Sequence, residues 1–216
     1  MKLISLRLAL QTTVFAVVAS TGGAEGAGAG PIVASGRGSV EAKIEYCMDC
    51  HGPSGQGYRG FLTMPRLAGQ TPEYLEAQLR AFLEGRRGRN LFIRMATVHG
   101  LNPSMRAALA ASFRHLNPPP FGGAPRQLAA TGARIYEEGI PEANVPACLA
   151  CHGPEAQGQN EIPRLAGQLF SYTTKTLSNW GKERGQNPAS TIMVPIAHNL
   201  TRSQIDAIAA YVSYLK

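Results

Sequence analysis

Three absences frame this chain. No stretch alternates apolar and polar residues as a half-buried strand does, so nothing in the pattern points to a sheet. Beyond residue 19 no apolar run approaches the ~20 residues that a membrane span needs. The chain has four cysteines, and two short motifs use all of them, leaving no thiol for a further ligand or nucleophile. Aromatics are also scarce, at 7% with a single Trp, so side chains alone fill a small core poorly. Domains of under ~100 residues commonly need a metal, a cross-link or another staple to hold together. A hydrophobic content of 44% nevertheless excludes wholesale disorder. Helical periodicity is what remains, and the expected fold class is all-α.

The cysteines stand as Cys47-Met48-Asp49-Cys50-His51 and Cys148-Leu149-Ala150-Cys151-His152, each running straight into Gly-Pro. C-x-x-C-H is the pattern of c-type haem attachment. Two thiols one helical turn apart take up the two vinyl groups of a haem as thioethers. The imidazole on the next residue then lies under the iron as proximal ligand, which makes His51 and His152 the candidates. Disulfides would account for the cysteines but not for the histidine that follows each pair. A zinc ribbon usually spaces its pairs by about 15–20 residues. Here 97 residues intervene. Two covalent haem c groups are the expected cofactors, on Cys47 and Cys50 and on Cys148 and Cys151.

The motif belongs to a longer internal repeat. Pro65-Arg66-Leu67-Ala68-Gly69-Gln70 returns as Pro163-Arg164-Leu165-Ala166-Gly167-Gln168, an offset of 98, whereas Cys47 and Cys148 differ by 101. The first copy therefore carries three extra residues in the loop around Tyr58–Met64. The offset of 98 also pairs Tyr74 with Tyr172, Arg86 with Arg184 and Met95 with Met193. Two units are expected, over 34–117 and 126–216, joined by the semi-rigid Pro/Gly segment 118–125. Residues 1–29 read as a signal peptide: Lys2 and Arg7 precede a short apolar run, with cleavage expected between 19 and 29. Export and a mature protein without a transmembrane span follow.

Within the units, Thr71-Pro72-Glu73 opens one helix and Asn102-Pro103 another, the latter with Leu109, Phe113 and Leu116 on one face. In the second unit a helix is expected over Thr131–Glu138, with the haem motif on a short helix after the next loop. Thr201-Arg202-Ser203-Gln204 is a capping box ahead of Ile205, Ile208, Ala209, Val212 and Leu215 at helical spacing. Formal charge is +7 overall. It is uneven, with 11 Lys/Arg against 6 Asp/Glu over 34–117 and 8 against 7 over 126–216. Two readings stand: a solvated basic face partly neutralised by haem propionates, or a surface that steers an acidic redox partner. An exported haem protein gives little reason to expect nucleic acid.

With C-x-x-C-H-G early, P-R-L-A-G-Q in mid-domain, a late Met and a closing amphipathic helix, each unit resembles a class I cytochrome c domain. The tandem resembles the dihaem cytochrome c4 family from about Ser35 to Lys216. That resemblance implies His/Met axial ligation and single-electron transport in the periplasm between redox proteins, including membrane-bound oxidases or dehydrogenases. It implies that the carbonyls of Pro65 and Pro163 meet the other ring nitrogen of His51 and His152, fixing the tautomer. It also implies Met95 and Met193 as distal ligands, 44 and 41 residues after their histidines. Met193 is followed by Pro195, as in the family's M-x-P segment. Met95 has no such proline, and His99 four residues on competes for the first iron. Other readings remain: a haem subunit of a dehydrogenase or oxidase complex, or a dihaem enzyme such as a peroxidase or thiosulfate dehydrogenase.

Overall fold

Prolines and caps fix where the helices begin. Pro103 occupies the first helical position, where its missing N–H costs nothing, and the Asn102 side chain accepts from Met105 N at 2.8 Å. Pro72 plays the same part after Thr71. Thr201 and Gln204 close a reciprocal capping box, each side chain bonded to the other's backbone N–H. These starts recur along a computed structural model that describes residues 34–87, 100–184 and 186–216.

The first domain contains α1 (Ala34–His51), a two-residue ladder of β1 (Tyr58–Arg59) and β2 (Thr63–Met64), α2 (Pro72–Leu83) and α3 (Pro103–Arg114). The second contains α4 (Arg126–Glu138), α5 (Leu149–His152), α6 (Phe170–Ser178), α7 (Trp180–Arg184), α8 (Met193–Asn199) and α9 (Arg202–Tyr214). Single 3-10 turns lie at Pro141–Ala143 and Pro188–Ser190. In both halves the opening helix packs on the closing one: α1 on α3, and α4 on α9. The middle helices α2 and α6 lie against the same closing helices.

The all-α expectation stands, with one small departure. The loop that holds the three extra residues of the first copy is an antiparallel hairpin pairing Tyr58 with Met64 and Arg59 with Thr63, where the second copy keeps a single Gln159–Ile162 bridge. Two residues per strand are too few to give a visible alternation. The opening helix of the second domain also starts at Arg126 rather than Thr131. Leu116 and Leu215 fall just past their helices but still pack on the two cores. The haem motifs differ in setting. Cys47–His51 is the last turn of the 18-residue α1, whereas Cys148–His152 follows a loop closed by an Ile140–Val145 bridge.

The cores are unequal among the described residues. Leu75, Ala110 and Phe113 form the buried apolar cluster of the first domain. The second domain buries Ile135, Tyr136, Ile140, Val145, Leu200, Ile205, Ile208 and Val212 together with three alanines. Gly132 is what lets α4 and α9 meet. A methyl there would overlap the Ala207 carbonyl and stand 2.8 Å from Tyr211 Cβ. Glycine inside a helix ordinarily costs about 1 kcal/mol against alanine. Here the order reverses, because any side chain forces the helices apart. Gly132→Val is expected to lower holoprotein stability by about 3 kcal/mol, read as a fall in the thermal midpoint, while Gly181→Ala in α7, where nothing lies within 4 Å and φ is ordinary, moves it far less.

Candidate functional site

Each C-x-x-C-H motif rides on a helical turn, which brings the first and fourth residues to one face. Cys47 and Cys148 are half-buried against their domain cores, while Cys50 and Cys151 are exposed. Burial pushes the Cys148 thiol up to about 11 and raises Cys47 as well. These are the opposite of the low-pKa dithiols that perform disulfide exchange.

The histidines turn inward. His51 is 3% exposed and His152 8%. His51 Nδ1 lies 2.8 Å from the Pro65 carbonyl, and His152 Nδ1 lies 2.9 Å from that of Pro163. A carbonyl only accepts, so Nδ1 carries the hydrogen and Nε2 is left with its lone pair. Burial lowers the basicity of both imidazoles, against the opposing effect of the proline carbonyl, and keeps them neutral. Nε2 of His51 is buried and meets no hydrogen-bond partner. A buried polar atom without a partner is costly. A neutral imidazole whose free lone pair faces inward, beside two thiols on one turn, fits a covalent haem.

The backbone after each motif repeats closely. Gly57 N donates to His51 O at 2.7 Å, and Gly158 N donates to His152 O at 2.9 Å. Leu67 and Ala68 both donate to Gly55 O, as Leu165 and Ala166 donate to Ala156 O. These bonds fold the P-R-L-A segment back under the motif and so deliver the proline carbonyl to the histidine. The turn itself needs the left-handed region: Gly52 has φ +83°, and a Cβ on it would stand 2.7 Å from Gly57 O.

The structure places Met193 at the first position of α8, half-buried. Its segment is tied at both ends. Trp180 Nε1 donates to Ser190 O at 3.1 Å, and Asn199 Nδ2 donates to Ala143 O at 2.9 Å, beside the loop that leads into the haem motif. Met95 and His99 lie outside the described residues. Met64 sits in β2, Met105 in the first turn of α3, and Met48 packs on the first core.

Sequence reasoning missed Tyr136. It is fully buried in α4, and its hydroxyl donates to Gly153 O at 2.6 Å, anchoring the opening helix to the residue after His152. Its ring tilts at 53° against Tyr211 of α9, with centroids 5.4 Å apart. The available signal was a tyrosine on the apolar face of that helix, since a buried phenol needs an acceptor.

The family model for cytochrome c matches residues 35–117 and again 129–216. Cytochrome c-552 of Acidithiobacillus ferridurans is 37% identical over 186 residues, 82% of this chain and 79% of that protein. A protein of Stutzerimonas stutzeri named thiosulfate dehydrogenase electron acceptor is 34% identical over 170 residues, 76% of each chain. The solved structure of cytochrome c4 from Acidithiobacillus ferrooxidans superposes with a TM-score of 0.68 at 37% identity, covering 78% of this chain and 98% of that one. With two attachment motifs in two tandem domains, the chain belongs to the cytochrome c family as a dihaem electron-transfer protein of the cytochrome c4 type, carrying two covalently bound haem c groups.

Proposed function

We propose that the protein is a periplasmic carrier of single electrons, not an enzyme, and that it passes them between redox proteins. The observation that carries this reading is the pair of buried, neutral imidazoles, each with Nδ1 already spent on a proline carbonyl. Bound haem supplies a one-electron iron couple. The chain supplies its setting. Cys47, Cys50, Cys148 and Cys151 would hold the two groups covalently, and His51 and His152 would offer Nε2 to the iron. Met193, and Met95 in the first domain, would supply thioether ligands. Pro65 and Pro163 keep the imidazole rings from turning, so little has to move when the charge on a centre changes.

With Met193 and Met95 as ligands neither haem would keep a labile position for a substrate, which argues against peroxidase or thiosulfate-oxidising chemistry. The Stutzerimonas relative is named an electron acceptor of a thiosulfate dehydrogenase, and an acceptor role in sulfur oxidation is the nearest specific reading for this chain. The basic excess of the first domain favours an acidic docking face on the partner, in solution or on a membrane-bound oxidase or dehydrogenase. Periplasmic residence rests on residues 1–29 as a signal peptide, a segment outside the described residues. No described helix is long and apolar enough to cross a membrane.

The test is a redox titration of the purified holoprotein followed by reduced-minus-oxidised spectra, together with peroxide and thiosulfate turnover assays. Two one-electron transitions with low-spin spectra, and no turnover beyond stoichiometric reduction, are expected. Sustained turnover of either substrate would overturn the carrier reading.

A further inference from the structure

The repeated P-R-L-A-G-Q segment ends in a glutamine that the haem pocket does not use, although the same glutamine stands at both positions. Gln70 is 4% exposed and Gln168 7%. Neither carboxamide is spent on its own haem motif. Arg164 N donates to Gln70 Oε1 at 2.6 Å, and Gln70 Nε2 donates back to Arg164 O at 3.0 Å. In mirror fashion, Arg66 N donates to Gln168 Oε1 at 2.9 Å, and Gln168 Nε2 donates to Arg66 O at 3.1 Å. Each carboxamide thus pairs with the N–H and C=O of a single residue in the other domain, as one strand residue pairs with another. Each Oε1 also accepts from the next backbone N–H of its own domain, Thr71 at 3.1 Å and Leu169 at 3.0 Å, which fixes the rotamer.

Ion pairs contribute little to this seam. Arg66 is 4% exposed, and burial together with the facing Arg164 pushes its guanidinium down to about 10. Arg66 Nη1 and Arg164 Nε are buried without partners. The salt bridge that crosses the seam among the described residues, Arg80–Glu161, spans 3.9 Å with both side chains about half exposed, so it contributes little. Other bonds cross as well, from Arg184, 3% exposed, to the Tyr74 hydroxyl at 2.7 Å, from Arg87 to the Tyr172 hydroxyl at 3.0 Å, and from Thr71 Oγ1 to Asn160 O at 2.6 Å. Among the described residues only the two glutamines make bidentate pairs, buried and reciprocal, and they do so on the segments whose prolines meet the two histidines.

We propose that Gln70 and Gln168 are positioning residues that clamp the two haem domains into one fixed relation and so set the path for electron transfer between the haems. This rests on the two-haem carrier reading. Each glutamine grips the residue directly after the proline that orients the other domain's histidine. The clamp therefore ties one haem pocket to the other, not surface to surface.

The experiment uses the full holoprotein with Gln70→Met, Gln168→Met and the double substitution, which keep side-chain bulk but remove the bonds. Haem content and absorption spectra are recorded first. Two haems per chain with unchanged spectra in every variant are expected, and a chain found to carry fewer in the unaltered protein would sink the carrier reading alone. Amide hydrogen exchange then reads the effect in trans. Gln168→Met should speed exchange at Arg66, and Gln70→Met at Arg164, on the order of tenfold for the loss of a paired set of bonds. After flash reduction of one haem, interhaem equilibration should be a single fast phase in the unaltered protein, and slower and multiphasic in the double variant. Unchanged exchange at Arg66 in Gln168→Met, unchanged interhaem kinetics in the double variant, or loss of a haem from the substituted domain would each overturn the clamp.

Discussion

A chain carrying Cys47→Ala and Cys50→Ala is expected to hold one haem and to lose the folded first domain. Among the described residues that domain buries Leu75, Ala110 and Phe113 as its apolar cluster, with Cys47, Met48, Leu67, Tyr74 and Leu116 packed against it. That cluster is small against the ~1–2 kcal/mol of backbone entropy lost per ordered residue, so the haem is expected to carry much of the core. Without an iron ligand, moreover, His51 Nε2 is a buried acceptor with no partner, at roughly 1–3 kcal/mol. The reciprocal chain, Cys148→Ala with Cys151→Ala, should also hold one haem, but with a milder outcome. The α4–α9 contact, the Tyr136–Tyr211 pair and the larger apolar cluster leave a compact helical remnant. Intact-mass spectra give the haem count, and hydrogen exchange over α3 and α9 gives the fate of each domain. The first variant should lose protection in α3 entirely, and the second should keep partial protection in α9 with lost near-UV signal. Full cooperative unfolding of both variants at the holoprotein's midpoint would contradict the expectation, as would the reverse order of severity.

Met193→Ala is expected to abolish the sulfur-to-iron charge-transfer band of the second haem and to lower its potential by about 0.1 V or more, within the ~0.8 V that axial ligands span. Thioether favours ferrous iron, so its loss stabilises the ferric state. The first haem should respond differently. Met95 has no proline two residues on, and His99 follows four residues later. Raising the pH above the ordinary imidazole range, near 6.5, leaves His99 neutral and able to bind. The first band should therefore fade with alkali before the second, and His99→Ala should protect it. The positive first domain pulls the other way, favouring the reduced state, but solvent and salt screening make that effect small beside a ligand change. A Met95 band at least as alkali-resistant as the Met193 band, or no change in His99→Ala, would refute the asymmetry.

Much of this was legible because chemistry fixed the residue types. A C-x-x-C-H motif tolerates few alternative uses, and a 98-residue offset that runs through six consecutive identical residues leaves little doubt about the duplication. Helix starts were readable wherever a cap or a proline marked them, as at Thr71, Asn102 and Thr201. The start of α4 was not, because its proline, Pro125, stands at the cap itself and not at the first helical position as Pro72 and Pro103 do. The hairpin at Tyr58–Met64 showed as an insertion but not as strands, since two residues per strand carry no period. Contacts between domains were wholly hidden. Gln70 and Gln168 look like ordinary polar residues in a motif, and their partners are backbone groups more than 90 positions away, which no side-chain pattern records.

The two attachment motifs also differ in what keeps them helical. α1 is one 18-residue helix that ends on His51, whereas α5 has four residues and follows a loop closed by the Ile140–Val145 bridge and held by Asn199. An isolated helix needs about 12–15 residues to be even marginal in water, because its first turn is costly to nucleate. α1 passes that length, so local sequence alone can favour the turn that holds Cys47 and Cys50. α5 falls far short of it, so the turn of Cys148 and Cys151 depends on the loop and helices packed around it. The first attachment turn is thus carried by its own helix, and the second by tertiary contacts that its haem must help to shape.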